Sequence, residues 1–358
     1  MDVVLSDRAL NRATLARQLL LDRRPVPARE IIELLVGLQG QDPELPYLGL
    51  WNRIEGFAHA DLTGLLAGRA VVRATLFRGT QHLLSTADYR WIRPLLQPML
   101  DRMRRTFFQQ WAADVDHAEL AAEARRVLGT STMTRPDLGR ALAQRWPQHE
   151  GVWLARAAQV ALPVLHPYPD GTWGRRGPTP LVLAEHWLDQ PFDRDREPAD
   201  LVLRYLAGFG PASVRDMQAW SGLTRLSAVF DRLRPRLRTY RSAAGTELFD
   251  LPDRPLPDPE TPAPVRFLAG FDNVTFGYAD RTRIVADAHR PYLVGEAALT
   301  VDGTVRGIWK LRRGELSIGL FAPLAGAEEE AVGSEAAALL RFAEPDTALH
   351  RVTFRNLP

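Results

Sequence analysis

Cysteine is missing from all 358 residues, which excludes disulfides, thiolate-held zinc, iron–sulfur clusters and a thiol nucleophile together. Lysine is almost missing too: of the 45 basic residues only Lys310 is a lysine, and the rest are arginine. A guanidinium stays protonated and cannot form a Schiff base, so Lys310 is the single side chain suited to that chemistry. No apolar run reaches the roughly eighteen residues of a membrane span, and the opening MDVVLSDRALNRA has no apolar signal-peptide core. A cytoplasmic protein with no membrane partner is expected. The phosphate loop GxxxxGK[ST], the zinc helix HExxH, the nucleophile elbow GxSxG and a strand-flanked GxGxxG are all absent. The eight histidines are scattered, none three or four residues from another. Neither a metal nor a cofactor is therefore expected.

What is present describes an ordinary folded chain. Hydrophobic residues make up 46% and charged residues 25%, and the length exceeds what one core usually organises. The net charge of +2 is too small to make the whole molecule an electrostatic magnet, but charge is unevenly spread. Residues 69–110 carry Arg69, Arg73, Arg78, Arg90, Arg93, Arg102, Arg104 and Arg105 against Asp88 and Asp101. Residues 215–241 carry seven arginines against Asp216 and Asp231. Each segment reads either as a phosphate-tracking face or as a solvated helix face.

PDRPLPDPETPAP, residues 252–264, contains six prolines and cannot continue a helix or a central strand. It reads as a stiff linker between a mostly helical part and a strand-rich part. Before it, residues 198–251 spell three short helices and a hairpin around Gly245, the plan of a winged helix-turn-helix. Residues 116–197 repeat the plan more loosely, with a hairpin expected at Asp170-Gly171, and residues 1–115 offer helices followed by two strands in RAVVRATLFRGTQHLLS. The competing reading is a generic helical domain with a few hairpins. Residues 265–358 alternate through AALTVDGTVRGIWKL, with Asp302-Gly303 at the turn. The expected fold is α+β: three tandem winged-helix units at 1–115, 116–197 and 198–251, the linker at 252–264, and a small barrel or curled sheet with one helix at 265–358.

One short run stands out: Leu38-Gln39-Gly40-Gln41-Asp42-Pro43. On a helix two glutamines at i and i+2 diverge by about 200°. Gly37, Gly40, Pro43 and Pro46 argue that the helix ends before this run, and on extended backbone both amides turn the same way, into a cavity. Each amide offers an acceptor oxygen and two N–H donors, enough to orient a water. Taken alone, the spacing is a weak signal, and two solvent-facing glutamines are the better reading of it.

Four segments together are more specific. LLVGLQGQDPELPYLGLWNR, RATLFRGTQHLLSTADYRWIRP, YLAGFGPASVRDMQAWSGL and FDNVTFGYADRTRI resemble blocks of the winged-helix DNA glycosylase family that removes bulky N7-alkylguanines, of the azinomycin-resistance type. The resemblance implies that Gln39 and Gln41 are the catalytic Gln-x-Gln pair, with Gly40 at the small end of the family's middle residue. It assigns the chain to the branch for natural-product adducts, since a sister branch has Asp at the position of Gln41. The family often has His where Tyr278 stands here. The implied activity is hydrolysis of the N-glycosidic bond of bulky N7-alkylguanine in double-stranded DNA, either as monoadducts alone or as interstrand crosslinks too, by a monomer that confers self-resistance to an alkylating natural product.

The chemistry fits amides. Alkylation at N7 makes guanine a cationic leaving group, so the general acid of ordinary glycoside hydrolysis is not required. What remains is to stabilise an oxocarbenium-like sugar and to hold a water. With one lysine in the chain, a Schiff-base lyase step is not expected. Further DNA-binding candidates are Arg78 and His82, which face the lesion or cap a strand end. Trp173, Arg175 and Arg176 touch backbone from a second wing or form a solvated tip. Arg281 and Arg283 bind phosphate or pair with Asp272 and Asp280. The alternative function is a non-catalytic tandem winged-helix DNA-binding regulator, because fold alone does not separate the two.

Overall fold

Ser6 opens the first helix, Asp7–Arg17, by accepting a hydrogen bond from the Ala9 N–H, with Asp7 in the first turn and Arg17 in the last, the charge order that a helix dipole favours. The computed structural model describes the backbone of residues 3–112 and 114–357, and their side chains outside 107–112. Met1 and Asp2 of the N-terminal segment lie outside the described residues.

Helices Ala28–Leu34, Leu45–Trp51 and His59–Ala67 lead into the strands Val71–Thr75 and Gln81–Ser85. These pair antiparallel in register from Val71 with Ser85 to Thr75 with Gln81, as the β-branched run around them predicts. They sit inside a six-stranded sheet whose order is Leu38–Gln39, Gln81–Ser85, Val71–Thr75, Val164–His166, Pro180–Leu183 and Met133–Thr134. One sheet thus draws strands from both sides of residue 115. A single apolar core does the same, joining Leu84, Ile92 and Leu100 to Leu154, Leu165, Phe209 and Trp220.

Residues 198–251 follow the expected order: helices Pro198–Phe209, Val214–Ser221 and Ser227–Leu233, then the hairpin Arg238–Ser242 with Glu247–Asp250. Ala212, between the first two helices, bridges antiparallel to Phe249, and Val4–Leu5 adds a parallel strand beside Arg241 and Ser242.

The expected hairpin at Asp170-Gly171 takes a different form. Its strands do pair, Val164 with Leu183 and Leu165 with Val182, but residues 167–179 connect them as a long loop. The reason is Asp170, whose carboxylate is drawn inward by the buried Arg73, so the Asp-Gly pair folds against the sheet and not at its tip.

The proline-rich segment carries neither helix nor strand. It is tied down along its length, by Arg12 Nε to the Thr261 carbonyl at 2.6 Å and by Arg8 to Glu260 at 3.2 Å. Beyond it, strands Arg266–Phe267, Ala297–Val301, Thr304–Arg312, Glu315–Leu320 and Arg351–Asn356 form one sheet in that order. This is an open sheet and not a closed barrel. Asp302 and Gly303 both have positive φ, at 45° and 77°, the two-residue turn that Asp-Gly favours. The sheet and helix Gly326–Ala343 share a core with the first helices, in which Phe267, Trp309, Ile318 and Leu339 meet Ile31, Ile32, Leu50 and Trp51. The linker therefore joins two parts that pack on each other. Among the described residues no helix is long and apolar enough to cross a membrane.

Candidate active site

The helix Ala28–Leu34 stops because the chain reverses at Val36 and Gly37, with φ of 51° and 99°. At Gly37 a side chain is excluded twice, by that φ and by Leu84 Cδ1, which would lie 2.5 Å from an added Cβ. The reversal delivers Leu38 and Gln39 as an extended segment paired with Leu83 and His82. The ladder continues through the Gly40 N–H to the Gln81 carbonyl at 2.8 Å.

Gln39 on this extended segment and Gln41 in the bend that follows it reach toward one place. Gln39 Nε2 donates to Thr80 Oγ1 at 3.2 Å, and its Oε1 accepts from the Gly40 N–H at 2.9 Å. Gln41 Oε1 accepts from the Gln81 N–H at 3.4 Å. Both side chains therefore reach the Thr80–Gln81 stretch. Their surroundings differ: Gln39 is buried at 8% exposure, whereas Gln41 is exposed. The expectation of two amides inside a cavity is corrected for Gln41, which stands at the surface because residues 40–42 leave the sheet there. Among the described residues, Gln39 keeps one N–H and one oxygen lone pair uncommitted, and Gln41 keeps both N–H donors.

Gly40 has no positive φ, and an added Cβ would meet its nearest neighbour, Leu83 N, at 3.5 Å. Space for a small side chain exists, as a variable middle residue requires.

His82 is buried beside the pair. Its Nδ1 lies 3.1 Å from the Thr80 carbonyl and its ring meets the edge of Phe77. Burial, with the nearby Arg78 adding repulsion, holds its pKa down to about 3, so the imidazole is neutral at physiological pH and its Nδ1–H donates to that carbonyl.

Arg78 occupies left-handed backbone at φ 53° within the turn Phe77–Gly79. Its Nη1 is buried with no hydrogen-bond partner among the described residues, as is Gln81 Oε1. Burial lowers the Arg78 pKa to about 10, with Arg281 contributing, which leaves it a full cation. An unpaired buried donor in uncommon backbone makes Arg78 a candidate for a contact outside the fold. Arg281 is half-buried, its guanidinium 4.4 Å from the Phe276 ring centre.

Other expected residues go elsewhere. Arg283 is 5% exposed; its Nη1 donates to the Pro211 carbonyl at 3.0 Å, and it lies over the Tyr278 ring at 4.2 Å. It neither faces solvent nor pairs with Asp272 or Asp280, because Asp272 is held by Arg53 and Asp280 by Thr282. Trp173 stacks on His59 at 4.3 Å and meets Tyr47 and Phe342 edge-on, so its ring packs the loop 167–179 against the body. Arg176 pairs with Glu44 at 2.8 Å, and Arg175 is exposed. Tyr278 is buried, donating to the Phe209 carbonyl at 2.8 Å, so it serves packing.

The first arginine cluster is divided by burial. Arg73, Arg93 and Arg104 are buried and unavailable to phosphate. All seven arginines of 215–241 are exposed. Among the described residues no group of three or more His, Asp or Glu is placed to hold a metal ion. Lys310 pairs with Glu296 at 2.8 Å and lines a cleft of about 850 Å³ with Asp42, Glu44 and Trp173, next to the glutamine loop.

Two residues were missed. Arg73 sits at the centre of the buried strand Val71–Thr75 and donates from Nε to the Gly40 carbonyl at 2.7 Å and from Nη2 to the Gln41 carbonyl at 3.1 Å, while Nη1 meets Asp170. The signal was an arginine inside an apolar, β-branched run, which needs a buried partner. Asp170 gave no signal beyond turn propensity.

With the geometry in hand, comparison with known proteins is specific. The family model for AlkZ-like DNA glycosylases matches residues 32–342. No curated protein matches by sequence. Among solved structures, DNA glycosylase AlkZ of Streptomyces sahachiroi superposes with a TM-score of 0.79 at 20% identity, over 99% of this chain and 100% of that one. At such identity the likeness concerns the fold.

Proposed function

Because the chain belongs to the AlkZ-like DNA glycosylase family, we propose that this DNA glycosylase removes bulky N7-alkylguanines from double-stranded DNA, as monoadducts and as interstrand crosslinks. The family sets aside the alternative of a non-catalytic winged-helix regulator. The observation that carries the finer reading is the convergence of the Gln39 and Gln41 amides on one edge of the sheet, near Arg78, whose buried Nη1 has no hydrogen-bond partner among the described residues.

A cationic N7-alkylguanine leaves without a proton donor, so the site needs only to favour the developing oxocarbenium and to aim a water at C1′. Amide oxygens accept from that water and orient its lone pair toward the sugar. Gln39 is held by the fold and sets the geometry; Gln41 carries the free donors. Neither is a strong base, so unmodified nucleosides resist. The product is an intact abasic site and free alkylguanine. Arg78, Arg281 and Arg175 and the exposed arginines of 215–241 contact backbone phosphate, with the protein acting as a monomer built from helix-and-wing units at 1–115, 116–197 and 198–251. A role in self-resistance to an alkylating natural product follows from such a substrate.

The test is incubation of the protein with duplexes that carry one N7-methylguanine, one nitrogen-mustard monoadduct or one nitrogen-mustard crosslink, scoring free-base release above the spontaneous rate. Release from the mustard duplexes with little from unmodified guanine is expected. Release confined to the methyl adduct would overturn the bulky-lesion reading.

A further inference from the structure

We infer that Arg73 is the positioning residue of the glutamine pair, with Asp170 holding it in place; the inference rests on the reading of Gln39 and Gln41 as the excision site. Arg73 lies on the strand Val71–Thr75, opposite Leu83 on one side and His166 on the other. All three nitrogens of its guanidinium are used. Nε and Nη2 hold two consecutive carbonyls, those of Gly40 and Gln41, at 2.7 and 3.1 Å, and Nη1 meets the Asp170 carboxylate. The planar fork fixes its own orientation once the carboxylate is engaged, so the direction of the two carbonyls is fixed with it.

The consequence differs for the two amides. Gln39 is held independently, by the sheet ladder and by its own bonds to Thr80 and Gly40. Gln41 has left the sheet, and apart from Arg73 the hydrogen bond that holds it among the described residues is the long 3.4 Å one from the Gln81 N–H. The placement of the more exposed amide therefore depends on Arg73. The loop 167–179 is shaped for this grip. Gly171 has φ of 82°, and an added Cβ there would lie 3.1 Å from Arg73 Cδ, so both the backbone and the crowding against the arginine stem favour glycine.

Single-turnover release from a duplex with one nitrogen-mustard monoadduct, well below the melting temperature, tests this in wild type, Arg73→Lys, Gln41→Ala and the double variant. Lysine keeps the charge toward Asp170 but cannot hold two carbonyls. Displacement of a reacting group by about 1 Å costs on the order of 10²-fold. Arg73→Lys is expected to slow release by about 10- to 10²-fold with duplex affinity unchanged, and to add almost nothing in the Gln41→Ala background, because it acts through Gln41. A purely structural role would lower the melting temperature and leave the rate of the folded enzyme alone. Should Arg73→Lys not fold, Asp170→Asn carries the same comparison, with a smaller slowing that again vanishes in the Gln41→Ala background. Gln41→Ala as fast as wild type overturns the site reading and this inference with it. A slow Gln41→Ala beside an Arg73→Lys (or Asp170→Asn) enzyme of wild-type rate, or slowings that multiply in the double variant, overturns this inference alone.

Discussion

Alanine at Gln39 and alanine at Gln41 are expected to have similar effects on rate and different effects on stability. Gln39 is 8% exposed and makes two hydrogen bonds, from the Gly40 N–H and to Thr80 Oγ1. Each such bond contributes a net of about 0.5–1.5 kcal/mol, so their loss costs about 1–3 kcal/mol in all. The loss is not compounded by orphaned groups. The Gly40 N–H keeps the Gln81 carbonyl at 2.8 Å, and the Thr80 hydroxyl keeps the Phe77 carbonyl at 3.1 Å. Gln41 is exposed with one long contact, and its removal is expected to stay within about 0.5 kcal/mol. On rate, loss of one preorganised transition-state hydrogen bond costs on the order of 10²–10³, with the lower end expected here because the leaving group is already cationic. If the two amides hold one water between them, the double variant is scarcely slower than the worse single one. Urea denaturation measures the first quantity; single-turnover release, with duplex affinity measured in parallel, gives the second. A folded Gln39→Ala, Gln41→Ala enzyme of wild-type rate would falsify the site assignment, and equal stability losses at both positions would refute the division of labour between them.

Three further outcomes are expected. Affinity for undamaged duplex falls steeply with salt, by about 0.9 in log units per log unit for each phosphate neutralised, and alanine at exposed Arg232, Arg236 or Arg238 shallows that slope; a salt-independent affinity refutes the phosphate reading. Burial holds His82 and His166 at about 3, with Arg78 and Arg73 respectively adding to it, below the ordinary value near 6.5. Between those values the unfolded chain binds protons that the folded chain does not. Stability is therefore complete above about pH 6.5 and declines as pH falls toward 3, by about 1.4 kcal/mol per pH unit for each histidine. Denaturant melts at pH 7 and pH 5 measure this, and an unchanged slope after His82→Gln and His166→Gln refutes it. Borohydride traps no enzyme–DNA adduct, although Lys310 lines a cleft shared with Asp42 and Glu44; an adduct that disappears in Lys310→Ala refutes the purely hydrolytic course.

Local chemistry was readable where it decides structure by itself. The Asp302-Gly303 turn, the strand pair in RAVVRATLFRGTQHLLS and the three helices with their hairpin after Pro198 stand where periodicity and turn residues put them. The end of the helix before the run and the extended backbone at Gln39 followed from Gly37 and the prolines, whereas the bend at Gln41 did not. Partnerships between distant residues were not readable. Asp170-Gly171 has the composition of a tight hairpin turn, yet the ion pair with Arg73, 97 positions away, outweighs that preference. Counting arginines failed in the same way: Arg73, Arg93 and Arg104 look like their neighbours in sequence but are buried, Arg93 on the carbonyls of Val160 and Leu162. Charge along a chain does not distinguish a cation aimed at solvent from one neutralised by backbone.

That distinction also explains why four separated blocks carry the family resemblance. The first, second and fourth contribute contacts that fix the glutamine loop or its root, and the third anchors the fourth. The first block, 34–53, holds the loop itself and Arg53, whose guanidinium grips Asp272 at 2.7 and 2.9 Å. The second, 73–94, begins with Arg73 on the loop carbonyls and includes Thr80, Gln81 and His82 along its edge. The fourth, 271–284, supplies Asp272 and also Asn273, which donates to the Gly37 carbonyl at 2.9 Å at the point where the chain reverses. The third, 205–223, anchors the fourth: Tyr205 donates to the Gly277 carbonyl at 2.9 Å, and Asp216 accepts from the Ala279 N–H at 2.9 Å. The third block also places Gly222 against Arg78, where an added Cβ would meet Arg78 Cγ at 3.4 Å. Two neutral amides have no charge with which to attract a substrate group into place, so their contribution depends on geometry held from several directions at once. If the glutamines act as proposed, substituting the residues that hold that geometry costs activity as substituting the glutamines does, and the Gln-x-Gln spacing alone does not describe the site.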